Sequence, residues 1–249
     1  MTQSGIEDIL IKAVAEEGGY AALTGYALPT TPVEGESYRA YAKLKALEAS
    51  GTYRISCSIY YGEVQDHWEG HLNSDEEKSW LSDEFVFNSD MKSNGLILQG
   101  ISVIGGRYVV NTFFRRSYSL VDHIDKAALP NIDTLTFPYS APPDTSVDVS
   151  ITIHNLNNVA GDVKLRARDY TVNEELYDSG FSTYEHDETK SLTFSFTTPS
   201  EPNHKIRVWT TSRYSYDSGT MFSDYCYYEW VLLQNADTIK NITAICYFV

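Results

Sequence analysis

A chain of 249 residues with 42% hydrophobic and 21% charged side chains has the composition of a folded globular protein, with room for one large domain or two ordinary ones. Its formal charge of −15 and pI near 4.7 speak against nucleic acid as a partner, since phosphate binding needs clustered Lys and Arg. No apolar run approaches the ~20 residues of a membrane span, and the N-terminus lacks the basic and apolar regions of a secretory signal, so the chain is expected to be made without an export address.

Ser4 and Glu7 fit a capping box, and Ile6, Ile9, Leu10, Ala13 and Val14 follow at helical spacing until Gly18-Gly19. A short N-terminal α-helix is therefore predicted over 1–19. Its apolar stripe docks either on the chain's own first domain or on a neighbouring subunit, which makes Ile6, Ile9 and Leu10 candidate inter-subunit contacts.

From Tyr20 onward the pattern alternates, as in strands. The predicted strands of a first unit are 21–26, 38–47, 52–61, 84–87, 96–103 and 107–120. The last two form a long hairpin about Gly105-Gly106. A second set follows at 133–137, 147–154, 162–170, 192–196, 205–216 and 220–233. The tail, 241–249, is apolar and β-prone. Such a strand must pair with the chain's own sheets, the preferred placement, or with a neighbour, so Ile242, Ile245 and Tyr247 join the candidate inter-subunit contacts.

The chain also repeats itself at a spacing of roughly 110 residues. Leu23-Thr24-Gly25-Tyr26 is echoed by Leu135-Thr136-Phe137-Pro138, and Asp75-Glu76-Glu77-Lys78-Ser79 by Asp187-Glu188-Thr189-Lys190-Ser191. Each polar run is expected to lead into a short β segment, Glu84–Phe87 in the first copy and Leu192–Phe196 in the second. The predicted organisation is a helix (1–19), a first sandwich (20–122), a linker (123–130), a second sandwich (131–235) and a β tail (236–249).

The second unit resembles the CARDB family, an immunoglobulin-like module of bacterial and archaeal surface proteins. The residues that carry the resemblance are Leu135-Thr136-Phe137-Pro138, Pro142-Pro143, the run Val147–Asn155, then Gly161–Tyr170, Asp187–Ser191 and Thr193–Pro199. It covers residues 131 to 235 and, more faintly, 20 to 122. It implies an all-β fold of two tandem Ig-like β-sandwich domains and carries no catalytic signature.

Few residues suggest chemistry. No phosphate loop, dinucleotide fingerprint, nucleophile elbow or zinc-spaced cluster occurs. His67 and His71, in Asp66–His71, could face each other only on a helix, which Gly70 and the β setting oppose; exposed strand or loop histidines are expected there. The acidic stretches 73–77 and 185–188 read as solvated turns or, less simply, calcium loops. Cys57, Cys226 and Cys246 are expected as buried free thiols, with a Cys226–Cys246 bridge as the alternative. The chain holds 19 tyrosines, several of them concentrated late. Tyr214, Tyr216, Tyr225, Tyr227 and Trp230 are the candidate interaction surface: alternation on the late hairpin puts Tyr225 and Tyr227 on one face and Tyr228 and Trp230 on the other, one face being core and the other an exposed aromatic strip or, equally, half-buried sheet filler.

These readings predict a non-enzymatic structural protein with no cofactor. The expected setting is a virus particle, as a capsid-decorating, turret, spike or tail-associated protein of a prokaryotic virus, assembled in the host cytoplasm from copies of itself or other virion proteins. The alternative is an adhesion module of the cell surface that binds a glycan or host receptor.

Overall fold

A computed structural model describes residues 19–216, 219–234 and 237–248. The predicted N-terminal helix, with Ile6, Ile9 and Leu10, lies outside the described residues. The rest is almost entirely β.

The first half of the chain contributes β1 (Tyr20–Ala27), β2 (Ser37–Tyr38), β3 (Tyr41–Leu47), β4 (Gly51–Ile59), β5 (Val64–Leu72), β6 (Glu77–Leu81), β7 (Phe85–Val86), the helix α1 (Ser89–Asn94), β8 (Leu96–Ile104) and β9 (Arg107–Arg116). The second half contributes β10 (Pro130–Ala141), β11 (Ser146–Asn155), β12 (Gly161–Asp169), β13 (Glu174–Asp178), β14 (Ser182–Tyr184), β15 (Thr189–Thr197), β16 (His204–Tyr216), β17 (Gly219–Gln234) and β18 (Lys240–Cys246).

Alternation explains most of these strands. In β11, Val147, Val149, Ile151 and Ile153 point inward while Ser146, Asp148 and Ser150 face solvent, the period of two that one buried face demands. The β8–β9 hairpin turns at Gly105 and Gly106, both at positive φ (55° and 75°), as a tight turn matched to strand twist requires.

The two halves pair their strands in the same order. In the first, β3 lies between β1 and β6, while β5, β4, β8 and β9 form the facing layer. In the second, β11 lies between β10 and β15, and β12, β16 and β17 form the facing layer, with β13 and β14 beside β12. This is the two-layer arrangement of an immunoglobulin-like sandwich.

The echoed polar runs are one turn built twice. Asp75 and Asp187 both take positive φ (64° and 55°). The Glu76 carboxylate accepts the Asn73 N–H at 2.8 Å, and the Glu188 carboxylate accepts the Glu185 N–H at 2.8 Å. In the first copy the strand that follows is β6, which begins inside the run. The segment 84–87, expected to hold that place, supplies only β7, which pairs with β2.

The halves do not sit as separate beads. β9 pairs antiparallel with β17, so one layer runs β5-β4-β8-β9-β17-β16-β12 without a break. In the other layer β18 slots between the halves, antiparallel to β10 and parallel to β1, giving β6-β3-β1-β18-β10-β11-β15. The tail strand therefore pairs within its own chain. The two layers also meet where Ser140-Ala141 of β10 runs parallel to Leu233-Gln234 of β17. Between β9 and β10 the chain is not an exposed tether, since Ala127, Ala128 and Leu129 are fully buried.

One hydrophobic core spans both halves, from Tyr20 to Cys246. Its centre is a seam of aromatic rings whose hydroxyls reach across to the other half's backbone. Tyr26 donates to the Ile132 carbonyl at 2.6 Å, Tyr228 to that of Leu23 at 2.6 Å, and Tyr225 to that of Thr30 at 2.9 Å. The Tyr26 ring stacks on Phe114 at 4.1 Å, and Phe137 packs on Trp230 at 4.5 Å. The Trp230 indole N–H donates to Pro138 at 3.0 Å. A buried carbonyl left unpaired costs about 1–3 kcal/mol, so each hydroxyl fixes the seam as well as filling it.

Arg116 lies in the same seam, fully buried. Its guanidinium donates to the Leu28 carbonyl of the first half and to the Asn131 side chain of the second. Asn131 in turn donates to the Asp133 carboxylate at 2.7 Å, so the charge is balanced at one remove. The rings of Phe114 and Tyr225 lie 5.5 and 5.4 Å from it. Burial works against this charge, yet Tyr225, Cys226 and Cys246 hold its pKa above the ordinary guanidinium value.

The first half of β1 is sealed differently, because β18 pairs only with Gly25 and Tyr26. The Ala21 and Leu23 N–H groups donate to the side chains of Asn111 and Thr112, both at 2.9 Å. Beyond β18, the Tyr247 N–H donates to the Tyr26 carbonyl at 2.8 Å and its ring lies over Gly25. A Cβ on Gly25 would stand 2.7 Å from that ring and 2.9 Å from the Lys43 Cβ.

A shared core predicts one cooperative unfolding event. Calorimetry is expected to give a single transition with equal calorimetric and van't Hoff enthalpies; two separable transitions would show independent halves. Gly25→Val is expected to displace Tyr247 and destabilise the chain by about 1–3 kcal/mol, read as a lower urea midpoint. Removing residues 237–249 bares the facing edges of β1 and β10, and is expected to raise the apparent mass in size-exclusion chromatography. Unchanged elution and stability would show that β18 is dispensable.

Candidate functional site

The two outer faces of the sandwich differ in chemistry. Over the second half, the layer holding β18 presents a ladder of hydroxyls. Thr136 meets Thr243 at 2.8 Å, Ser150 meets Thr193 at 3.3 Å, and Ser195 donates to Asp148 at 2.6 Å. These cross-strand pairs satisfy one another.

The opposite layer presents cations laid over rings and tied to carboxylates. Arg115 covers Tyr60 at 3.7 Å and Tyr227 at 4.9 Å; Arg207 covers Tyr170 at 3.8 Å. Arg207 pairs with Glu229 at 2.7 Å, Arg166 with Glu175 at 2.9 Å, Lys164 with Asp178 at 3.0 Å, and Arg213 with Asp162. The Arg213 contact, through its side-chain hydrogen bond, holds the Asp162 carboxyl below its usual value. Lys164, Arg166, Arg207 and Arg213 thus act here as covers for aromatic surface while their charges are neutralised locally, and Arg115 donates instead to the Asn94 carbonyl.

A cleft of about 590 Å³ opens in this face. It forms where β17 carries a bulge, because Trp209 of β16 pairs with Tyr227 while Thr211 pairs with Asp224. The two intervening residues, Tyr225 and Cys226, both turn into the core, which brings Asp224 and Tyr227 to the outside together. Lys164, Arg166, Phe181, Thr211, Phe222 and Asp224 line the cleft. Asp224 accepts the Thr211 hydroxyl at 2.5 Å on one oxygen and the Tyr227 hydroxyl at 3.2 Å on the other. Phe222 stays 59% exposed, its ring 5.6 Å from Phe181.

A second cleft, of about 570 Å³, lies at the end of the second half. Its floor holds His204, whose Nδ1 contacts the buried Asp169 carboxylate. The other Asp169 oxygen accepts the Thr171 N–H at 2.8 Å. The pair ties the turn after β12 to the start of β16. Glu174, Glu175 and Glu201 stand around it. Among the described residues, no group of three or more His, Cys, Asp or Glu side chains converges to hold a metal ion.

The sequence-predicted aromatic strip does not form. Tyr225 and Trp230 are fully buried and Tyr214 nearly so, because the bulge shifts the phase of β17 and puts Tyr225, Tyr228 and Trp230 on one inner face. Tyr227 alone of these four reaches the outer layer, half-covered by Arg115. The side chain of Tyr216 lies outside the described residues. Of the tail candidates, Ile242 is half-buried, while Ile245 and Tyr247 are each 40% exposed.

His67 and His71 are exposed on the edge strand β5. Four residues of strand place them about 13 Å apart, and Glu69 between them is engaged by Tyr108 at 3.0 Å and Arg54 at 3.7 Å. The acidic stretches form the twin turns already described. The cleft residues Phe181, Phe222 and Asp224 had no sequence signal beyond an aromatic-acidic mixture; only the bulge brings them together.

The chain is thus an all-β protein of immunoglobulin-like sandwich architecture. No family model matches its sequence, and no curated protein does. Among solved structures it is similar to the CARDB domain of a Pyrococcus furiosus protein in complex with di-metal ions, at 13% identity and a TM-score of 0.33, over 43% of this chain and 90% of that one. It is similar to the BSP domain of a biofilm-associated protein at 15% identity and a TM-score of 0.27, over 88% of this chain and 30% of that one. Red sea bream transglutaminase is similar at 10% identity and a TM-score of 0.27, over 95% of this chain and 33% of that one. The chain spans about a third of the length of each of these last two, and none of the three bears on what it binds or does.

Cys57, Cys226 and Cys246 are buried free thiols. Burial pushes the Cys57 thiol from 9.0 up to about 12, and the Cys226 thiol up to about 11 despite Arg116 beside it. The folded state therefore holds these protons more tightly than the unfolded chain. Their contribution to stability is intact below pH about 9 and lost as pH rises through about 11 to 12. A thiol reagent at about pH 8 is expected to leave the native protein unmodified and to label all three cysteines in denaturant. As pH is raised, the urea midpoint should begin to fall from these thiols above pH about 9. Rapid labelling of the native protein would contradict the burial.

Proposed function

We propose that this chain is a non-enzymatic structural module whose two halves are CARDB-like copies joined into one stiff body, and that it serves as a virion component of a prokaryotic virus, as a capsid-decorating, turret, spike or tail-associated protein. The observation that carries the reading is the seam. Both layers continue across the middle of the molecule, and Tyr26, Tyr225, Tyr228 and Arg116 bind each half to the other's backbone or side chains. A hinge between domains would need a small, polar contact area; here the core is common to both.

Such a body projects or spaces what is attached to it. Strands β6, β15 and β5 end its layers, and together with the exposed Ile245, Tyr247 and Phe248 they are the surfaces for copies of itself or other virion proteins. Among the described residues no helix is long and apolar enough to cross a membrane.

Co-purification with virus particles at a fixed ratio to the major capsid protein is the expected result when the gene is expressed in its native setting. Recovery as a free monomer from particle-producing cells would overturn the assignment.

A further inference from the structure

We infer that the cleft between β12, β16 and β17 is a binding site for a neutral oligosaccharide, a function separate from the structural role. Three observations select the ligand class. The first is an aromatic platform on an otherwise charged face. Phe222 is 59% exposed, and its only ring partner among the described residues is Phe181, tilted by 34°. An aromatic face open to water matches the apolar C–H face of a pyranose ring.

The second observation is the polar rim. Each Asp224 oxygen already accepts one hydroxyl, from Thr211 or Tyr227, and a carboxylate oxygen has a further lone pair to offer. Two adjacent sugar hydroxyls could donate to the pair. Ser119 and Ser223, hydrogen-bonded at 2.6 Å, also line the cleft and add exchangeable donors and acceptors.

The third observation is charge. The two cations that line the cleft, Lys164 and Arg166, are neutralised by Asp178 and Glu175, and Asp224 adds a negative charge. No unpaired cation lines the cleft to take a phosphate, sulfate or carboxylate, so the fitting ligand is uncharged. Along β12 and β16 a peptide strand finds no open ladder, because each has a paired neighbour on both sides. The volume, about 590 Å³, falls within the ~300–1,000 Å³ of small-ligand sites.

The test uses the full chain on an array carrying neutral, sialylated and sulfated oligosaccharides, followed by titration calorimetry with the strongest neutral hit. Neutral glycans are expected to bind, and Phe222→Ala and Asp224→Asn each to weaken binding at least ~10-fold, the effect of about 1.4 kcal/mol. Tyr108→Ala, an exposed aromatic of the same layer in the first half, should bind as the parent does. Equal melting temperatures for parent and variants exclude misfolding as the cause. An empty array, a preference for acidic glycans, or Phe222→Ala and Asp224→Asn proteins that bind undiminished would each overturn the site, while leaving the virion reading to its own test.

Discussion

A strand inside a protein cannot leave an edge bare, and this molecule is organised around two that would otherwise face each other unpaired. β1 and β10 open the two halves and lie side by side in one layer with a strand's width between them. β18 fills that space, parallel to one and antiparallel to the other. Where β18 stops short, Asn111 and Thr112 finish the job with side chains. In the facing layer β9 and β17 meet directly. Given these pairings, the interior must be continuous, and the tyrosine hydroxyls and the Arg116 guanidinium follow as the polar groups that such an interior has to satisfy.

Much of this was legible in the chain. Alternation located β3, β11, β12 and β15, each with one buried face, while β1, β4 and β8, buried along most of their length, showed as β-prone runs between turn formers. The repeated acidic runs are repeated because one turn geometry, with an aspartate at positive φ and a glutamate closing on the backbone, is needed before both β6 and β15. β5, β13 and β14 left no such mark. They are edge strands with much of their surface in water, so no apolar period is imposed on Gln65-Asp66-His67 or Glu174-Glu175. The tyrosines misled for a physical reason. Strict alternation assigned Tyr225 and Tyr228 to opposite faces, and a bulge moved them to the same one. A bulge is a property of the pairing of two strands, and neither strand alone declares it.

The chain's acidity also reads differently in three dimensions. A net charge of −15 suggests a uniformly negative shell, yet many of the arginines are gathered on one layer, spread over rings and paired with carboxylates. Cations there do two things at once. They cover aromatic carbon that a solvent-facing sheet would otherwise expose, and they leave the face close to neutral. Over the second half, the opposite layer presents paired serine and threonine hydroxyls instead. Two faces of one sandwich therefore offer quite different surfaces to whatever meets them.

The position of β18 in the sequence has a further consequence for how the molecule comes into being. Tyr26 makes its backbone bond to Tyr247, and Tyr228 reaches back to Leu23 across 205 residues. Chains emerge from the ribosome at ~5–20 residues per second, so β1 must wait on the order of ten seconds or more for its neighbour. Throughout that interval an apolar strand with one open edge is in the company of other nascent chains. Closure of the seam is thus a late event that converts two provisional sandwiches into one, and the moment before it is when this protein is most exposed to pairing with the wrong partner.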